Sequence, residues 1–135
     1  MTTATLTELQ TERARLKALD ARRELDEATA QTRRADDLLR AAERPLIIAG
    51  TQVYWDDAGD ALRELTEATA MPVFTNGAGR GALSMAHPHC FKAARGKALR
   101  AADVVLLIGT PLDFRLKYGR DDWNTDSKLI QIEND

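Results

Sequence analysis

Apolar and polar positions follow two different rhythms along the chain, and each predicts a different kind of element. Residues 6–43 contain neither glycine nor proline and are dominated by Ala, Leu, Arg and Glu, so they predict one or two long helices. Leu9, Leu16 and Leu19 share a face there, but the stripe thins to Leu25 and Ala28, short of the three or four clean heptads of a coiled coil. Two readings stay open for this segment: a surface for a partner helix, or a solvated helix. Nearer its end, Ala35, Leu38, Leu39 and Ala42 fall at i, i+3, i+4 and i+7, the stripe of a helix that packs on a sheet. Pro45 then stops the helix.

Beyond Pro45 the rhythm changes to short, continuous apolar runs. Leu46, Ile47, Ile48 and Ala49, closed by Gly50, read as a strand buried on both faces of a parallel sheet. Asp56 and Asp57 are N-cap candidates for a helix carrying Ala61, Leu62, Leu65 and Ala68, which Met71 and Pro72 stop. A second strand, Val73 to Thr75, runs into Asn76 and a turn with Gly77, Gly79 and Gly81, where positive φ or close backbone approach is available. Residues 91–102 read as a helix weakened by Gly96. Asp103 to Gly109 is the clearest buried strand, and Leu129 to Ile132 predicts a fourth, ending in Glu133, Asn134 and Asp135. Residues 112–118 carry mixed signals.

Strands separated by helices at this spacing imply a parallel sheet with right-handed crossovers, and ligands of such sheets sit beyond the carboxyl ends of the strands. That rule selects four loops: residues 50–52, 75–81, 109–115 and 133–135.

Composition narrows the function classes. The chain has 135 residues, 44% hydrophobic and 30% charged, which suits one soluble domain with a modest core. Its net charge of −2 and pI near 5.7 argue against nucleic acid, and the Arg-rich residues 1–44 hold nine basic and nine acidic side chains. A lone Cys90 excludes an intramolecular disulfide and fits a reducing cytoplasm. No signal sequence and no apolar run of about 20 residues is visible, so no membrane partner is expected. No metal-ligating cluster stands out. His87 before Pro88 reads as a turn residue rather than a base, and Cys90 as a small packed side chain rather than a nucleophile. Trp55 and Trp123 read as packing or interface residues.

The order of these pieces carries a resemblance. Residues 38–50 (Leu-Leu-Arg-Ala-Ala-Glu-Arg-Pro-Leu-Ile-Ile-Ala-Gly), residues 71–76 with Gly79, Arg80 and Gly81, then His87 and Pro88, residues 102–109, and Leu112 to Arg115 resemble the central domain of thiamine-diphosphate enzymes of the acetolactate synthase type. That family includes oxalyl-CoA decarboxylase and the 2-hydroxyacyl-CoA lyases. The resemblance spans residues 35–135 and leaves residues 1–34 as a charged helical extension. It implies an α/β, three-layer Rossmann-like domain of the DHS-like NAD/FAD-binding kind, with a parallel sheet that continues past Asp135 in the family and is therefore truncated here. It also implies FAD or ADP as the nucleotide of this domain.

Carried over by position, Gly50 and Thr51 approach a phosphate or ribose, Asn76 and Gly77 line the same cleft, and Gly109 permits close approach. Arg115 pairs with a diphosphate through its planar fork of donors, and Glu133 or Asp135 accepts from the ribose. The plain alternatives remain beside these: Gly50 and Gly109 as strand ends, Arg115 as a surface partner of Asp113 or Asp121. Gln52 stands where the family often has a second glycine, with Tyr54 and Trp55 following, which leaves less room for a flavin. Catalysis in the family needs thiamine diphosphate and Mg²⁺, held by two other domains through a Glu and a Gly-Asp-Gly motif. This sequence has no Gly-Asp-Gly, so the expectation is a chain that is inactive alone and works beside the remaining thiamine-binding domains in a homo-oligomer. A stand-alone ADP-, FAD- or NAD-binding module and a helix-mediated interaction protein are the other classes.

Overall fold

A single helix, α1, runs unbroken over Leu6–Ala41, 36 residues. Its start is a capping box: the Thr5 hydroxyl oxygen accepts from the Glu8 N–H at 3.2 Å, and the Glu8 carboxylate accepts from the Thr5 N–H at 2.7 Å. Pairs such as Arg15 with Glu12 (2.7 Å) and Arg23 with Asp20 (3.4 Å) balance its charges one turn apart, and none of its residues is buried. The computed structural model describes residues 5–133, in two compact units, Met1–Asp37 and Leu38–Asp135. Asp135, the second candidate ribose acceptor, lies outside the described residues.

The second unit is built on strands β1 (Pro45–Ala49), β2 (Val73–Thr75), β3 (Val104–Ile108) and β4 (Lys128–Ile132), all parallel, in the order β2-β1-β3-β4. The two strands with the longest apolar runs take the centre: Ile47, Ile48, Ala49, Val105 and Leu107 are fully buried. On one face Leu46, Ile48, Phe74, Val105 and Leu107 pack with Leu99, Leu116 and Trp123 in a single cluster. Each large apolar side chain so buried contributes about 1.5–3 kcal/mol of transfer free energy. Asp103 joins the entrances of the two central strands, accepting from the N–H of Glu43 at 2.7 Å and of Arg44 at 2.9 Å.

The helices depart from the periodicity in instructive ways. A short helix, α2 (Thr51–Trp55), occupies the turn after β1, and Asp56 closes it with an N–H bond to the Gln52 carbonyl at 2.9 Å. Asp56 and Asp57 therefore do not cap the next helix, α3 (Gly59–Thr69), which starts after Ala58 without any side-chain cap. Helix α4 covers only Arg95–Ala101, because Ala94 takes a left-handed conformation (φ 67°) and breaks the run that begins at Phe91. Residues Phe114–Gly119 form 3₁₀ turns kinked at Lys117 and Tyr118. Among the described residues, no helix is long and apolar enough to cross a membrane.

Candidate functional site

Register alone sets four of the expected residues side by side. Ala49 is level with Thr75 and with Ile108, and Ile108 with Ile132, so Asn76, Gly50, Gly109 and Glu133 each follow directly on their strands in one row. The row is stitched by backbone bonds: Gly50 N–H to the Ile108 carbonyl (2.9 Å), Asn76 N–H to Ala49 (2.8 Å), and Gly109 N–H to Ile132 (2.8 Å).

The glycines in this row serve close packing of the chain on itself. A Cβ at Gly50 would lie 2.3 Å from the Thr110 Cβ, and one at Gly109, where φ is +60°, 2.5 Å from the Gln52 Cβ. Gly77 is also left-handed (φ +53°), and its missing Cβ leaves space for the Thr51 hydroxyl, which accepts from the Ala78 N–H at 3.2 Å. Gly50, Thr51, Gly77 and Gly109 are thus brought together. Glu133 is exposed at the end of β4, its carboxylate accepting from the Gln131 amide at 2.8 Å.

Arg115 stands apart from the row. Its guanidinium pairs with Asp113 at 2.9 Å and lies 5.2 Å from the centre of the Phe114 ring, as the surface-pair reading anticipated. It also lines a cleft of about 660 Å³, together with Phe74, Phe91, Arg95, Lys117 and Trp123. Lys92 and Arg80 add further cations to its wall, against one carboxylate, Asp122. That carboxylate is already engaged: it is hydrogen-bonded by Lys117, which holds it below the usual carboxylate range, and it meets Arg100 at 3.4 Å.

The connection between row and cleft is Arg95, which the sequence reading missed. Its guanidinium donates to the side-chain oxygen of Asn76 and, at 3.2 Å, to the carbonyl of Arg115. Asn76 is 8% exposed, and its side-chain nitrogen is buried without a partner among the described residues. A buried donor left unmatched is costly, and an anion or carbonyl oxygen beside it would satisfy it. The signal for Arg95 lay in the basic run Lys92 to Lys97, inside the stretch read as one helix; the left-handed Ala94 that turns Arg95 toward Asn76 has no signature in sequence. His87 is a turn residue as expected, its ring nitrogen accepting from the His89 N–H at 3.1 Å. Cys90 is packed away, and burial pushes its thiol pKa up.

This donor set suits a diphosphate: cations, an unmatched amide nitrogen, and apolar side chains able to flank a flat ring. It does not suit the Mg²⁺–diphosphate of thiamine diphosphate, which requires a cluster of oxygen ligands. The one acid on the cleft wall is tied to Lys117 and Arg100.

Strand order, crossovers and the row of strand ends define a Rossmann-like parallel α/β domain. The family model described as "Thiamine pyrophosphate enzyme, central domain" matches residues 32–135, and the chain belongs to that family. It is 49% identical over 86 residues to the acetolactate synthase large subunit of Mycobacterium tuberculosis, covering 64% of this chain and 16% of that protein. Oxalyl-CoA decarboxylase of Escherichia coli is 39% identical over 99 residues (73% of this chain, 18% of that protein). For 2-hydroxyacyl-CoA lyase 1 of Mus musculus the figures are 37% over 100 residues, 73% and 17%. The chain thus spans less than a fifth of the length of these curated relatives. A solved structure provisionally assigned as a thiamin diphosphate-dependent enzyme of Mycobacterium smegmatis has the same fold, with a TM-score of 0.59, 20% identity, and 77% of this chain and 21% of that one covered.

Proposed function

We propose that residues 35–135 serve as the central, non-catalytic domain of a cytoplasmic carboligase, decarboxylase or lyase of the acetolactate synthase type, with residues 1–34 as a helical extension. Thiamine diphosphate and Mg²⁺ belong, in this reading, to the remaining thiamine-binding domains of the parent enzyme, which assembles as a homo-oligomer. Within this domain, the strand-end row and the adjoining cleft take the diphosphate of a nucleotide, ADP or FAD. Gly50, Thr51, Gly77 and Gly109 shape the floor, Arg95 and Arg115 meet the phosphates, and Glu133 accepts from the ribose.

The observation that carries the nucleotide reading is the position of Arg95, which links the buried Asn76 to Arg115 and stands beside an unmatched amide nitrogen. Titration calorimetry of ADP and FAD against the full chain tests it. Arg95→Ala should weaken binding at least tenfold, and Arg95→Lys less, because a point charge replaces a planar fork. If neither nucleotide binds, or if Arg95→Ala leaves the affinity unchanged, the nucleotide reading fails while the family assignment stands.

A further inference from the structure

The stretch between Leu116 and Trp123 is held in a conformation that its residues resist. Lys117, Tyr118 and Asp121 all take left-handed torsions (φ 51°, 53° and 57°), with Gly119 among them at φ 70°. Left-handed torsions are unfavourable for any residue that carries a Cβ, so such a cluster persists only under restraint from its surroundings. Three restraints are present. Leu116 and Trp123, 2% and 8% exposed, anchor the two ends in the core cluster. The Asp113 carbonyl accepts from the Tyr118 N–H at 3.0 Å. Across the stretch, Lys117 donates to the carboxylate of Asp122, which Arg100 on α4 also meets at 3.4 Å. Lys117 and Asp122 both lie on the cleft wall, whereas Tyr118, 57% exposed, does not.

We propose that residues 117–122 form a strained latch on the cleft, closed by the Lys117–Asp122 pair and opened when the phosphate groups of a bound nucleotide draw Lys117 away. This rests on the nucleotide reading above and adds a conformational step to it. With the latch closed, one of the cleft's cations is engaged by an internal anion. A phosphate group competes for that cation and repels Asp122 at the same time. Losing the pair removes the one restraint that spans the stretch, so the left-handed torsions relax as the latch opens. Strain and ligand therefore act in the same direction, against a single ion pair. Only the open fraction binds, so any change that favours the closed torsions weakens the apparent affinity.

The test uses the full chain carrying Trp55→Phe, which leaves Trp123 as its one tryptophan. A Cβ at Gly119 would stand 4.0 Å from the Trp123 ring, so departure of the latch bares that ring to acrylamide. Without ligand, Asp122→Asn should raise acrylamide quenching of Trp123 about twofold. Saturating pyrophosphate, which has no ring to stack on Trp123, should do the same with Asp122 intact. Calorimetry with ADP and FAD separates strain from contact. Tyr118→Gly accepts φ 53° freely and favours the closed latch, so it should weaken whichever nucleotide binds by at least about threefold. Tyr118→Ala keeps the strain and should bind like the wild type. Equal affinity of the glycine and alanine variants, or quenching unmoved by Asp122→Asn or by pyrophosphate, would overturn the latch and leave the nucleotide reading standing. If ADP, FAD and pyrophosphate all fail to bind, both fall.

Discussion

Arg95 donates to the side-chain oxygen of Asn76, the first residue beyond β2, and so ties the start of α4 to the carboxyl edge of the sheet. The same guanidinium reaches the Arg115 carbonyl, so one side chain holds both sides of the cleft. Asp122 is the counterweight, engaging Lys117 on the cleft wall. Asp122→Asn should free Lys117 and tighten ADP binding by about two- to fivefold, an effect that fades as salt rises from 50 to 500 mM. An unchanged or weaker affinity in calorimetry would contradict this role.

Gly109 is the most constrained of the glycines at the strand ends. Gly109→Ala combines a left-handed φ of +60° with contacts of 2.5 Å to the Gln52 side chain and 2.9 Å to the Val53 nitrogen. The expected loss is about 2–4 kcal/mol in urea unfolding. Gly81→Ala, with φ +96° but open space around it, should lose only about 1 kcal/mol. Gly96→Ala, inside α4 with nothing nearer than 3.8 Å, should gain roughly 0.5–1 kcal/mol.

Asp103 makes stability depend on pH in a defined direction. Burial would raise its pKa, but the hydrogen bonds from Glu43 and Arg44 outweigh that and hold it below the ordinary carboxylate range. A carboxylate depressed in the folded state stabilises above its unfolded pKa and loses that contribution as pH falls through the folded value. Asp103→Ala should therefore cost about 1–2 kcal/mol at pH 7, and the gap to wild type should close as acid protonates the native carboxylate. A gap that is constant between pH 7 and pH 2.5 would contradict the assignment.

Leu107 is fully buried in the core cluster. Leu107→Ala should cost about 2–5 kcal/mol by chemical denaturation, the range for a cavity in a packed core. The exposed Tyr54→Ala, on α2, should change stability by less than about 0.5 kcal/mol.

Purified alone, the chain should show no carboligase or decarboxylase turnover with pyruvate or oxalyl-CoA, with thiamine diphosphate and Mg²⁺ added. Measurable turnover would refute the non-catalytic assignment. Adding the separately expressed flanking domains of a relative is the complementary assay.

What the sequence made legible was the sheet. Leu46 to Ala49 and Val104 to Leu107 are buried on both faces, so their apolar runs had a single physical meaning, and the strand ends beyond them fell into one row. Helix ends were less legible because they turned on backbone torsions. Nothing in the identity of Ala94 announces a φ of 67°, yet that torsion shortens α4 and places Arg95. Helix α2 escaped notice because five residues are too few to show a period, and its presence reassigned Asp56 from the start of one helix to the end of another. Arg115 showed its limits in the same way: its type suggested phosphate, while Asp113, two residues earlier, had already claimed part of its fork.

The bond between Asp103 and Arg44 spans 59 residues of chain, and β1 pairs with β3 across the same interval. During synthesis β1 therefore emerges long before its central neighbour, and has only β2 to pair with until Ile108 has been made. The central pairing of this sheet has to wait for that interval to be made, so translation speed through residues 76–108 should govern how much nascent chain is lost to aggregation.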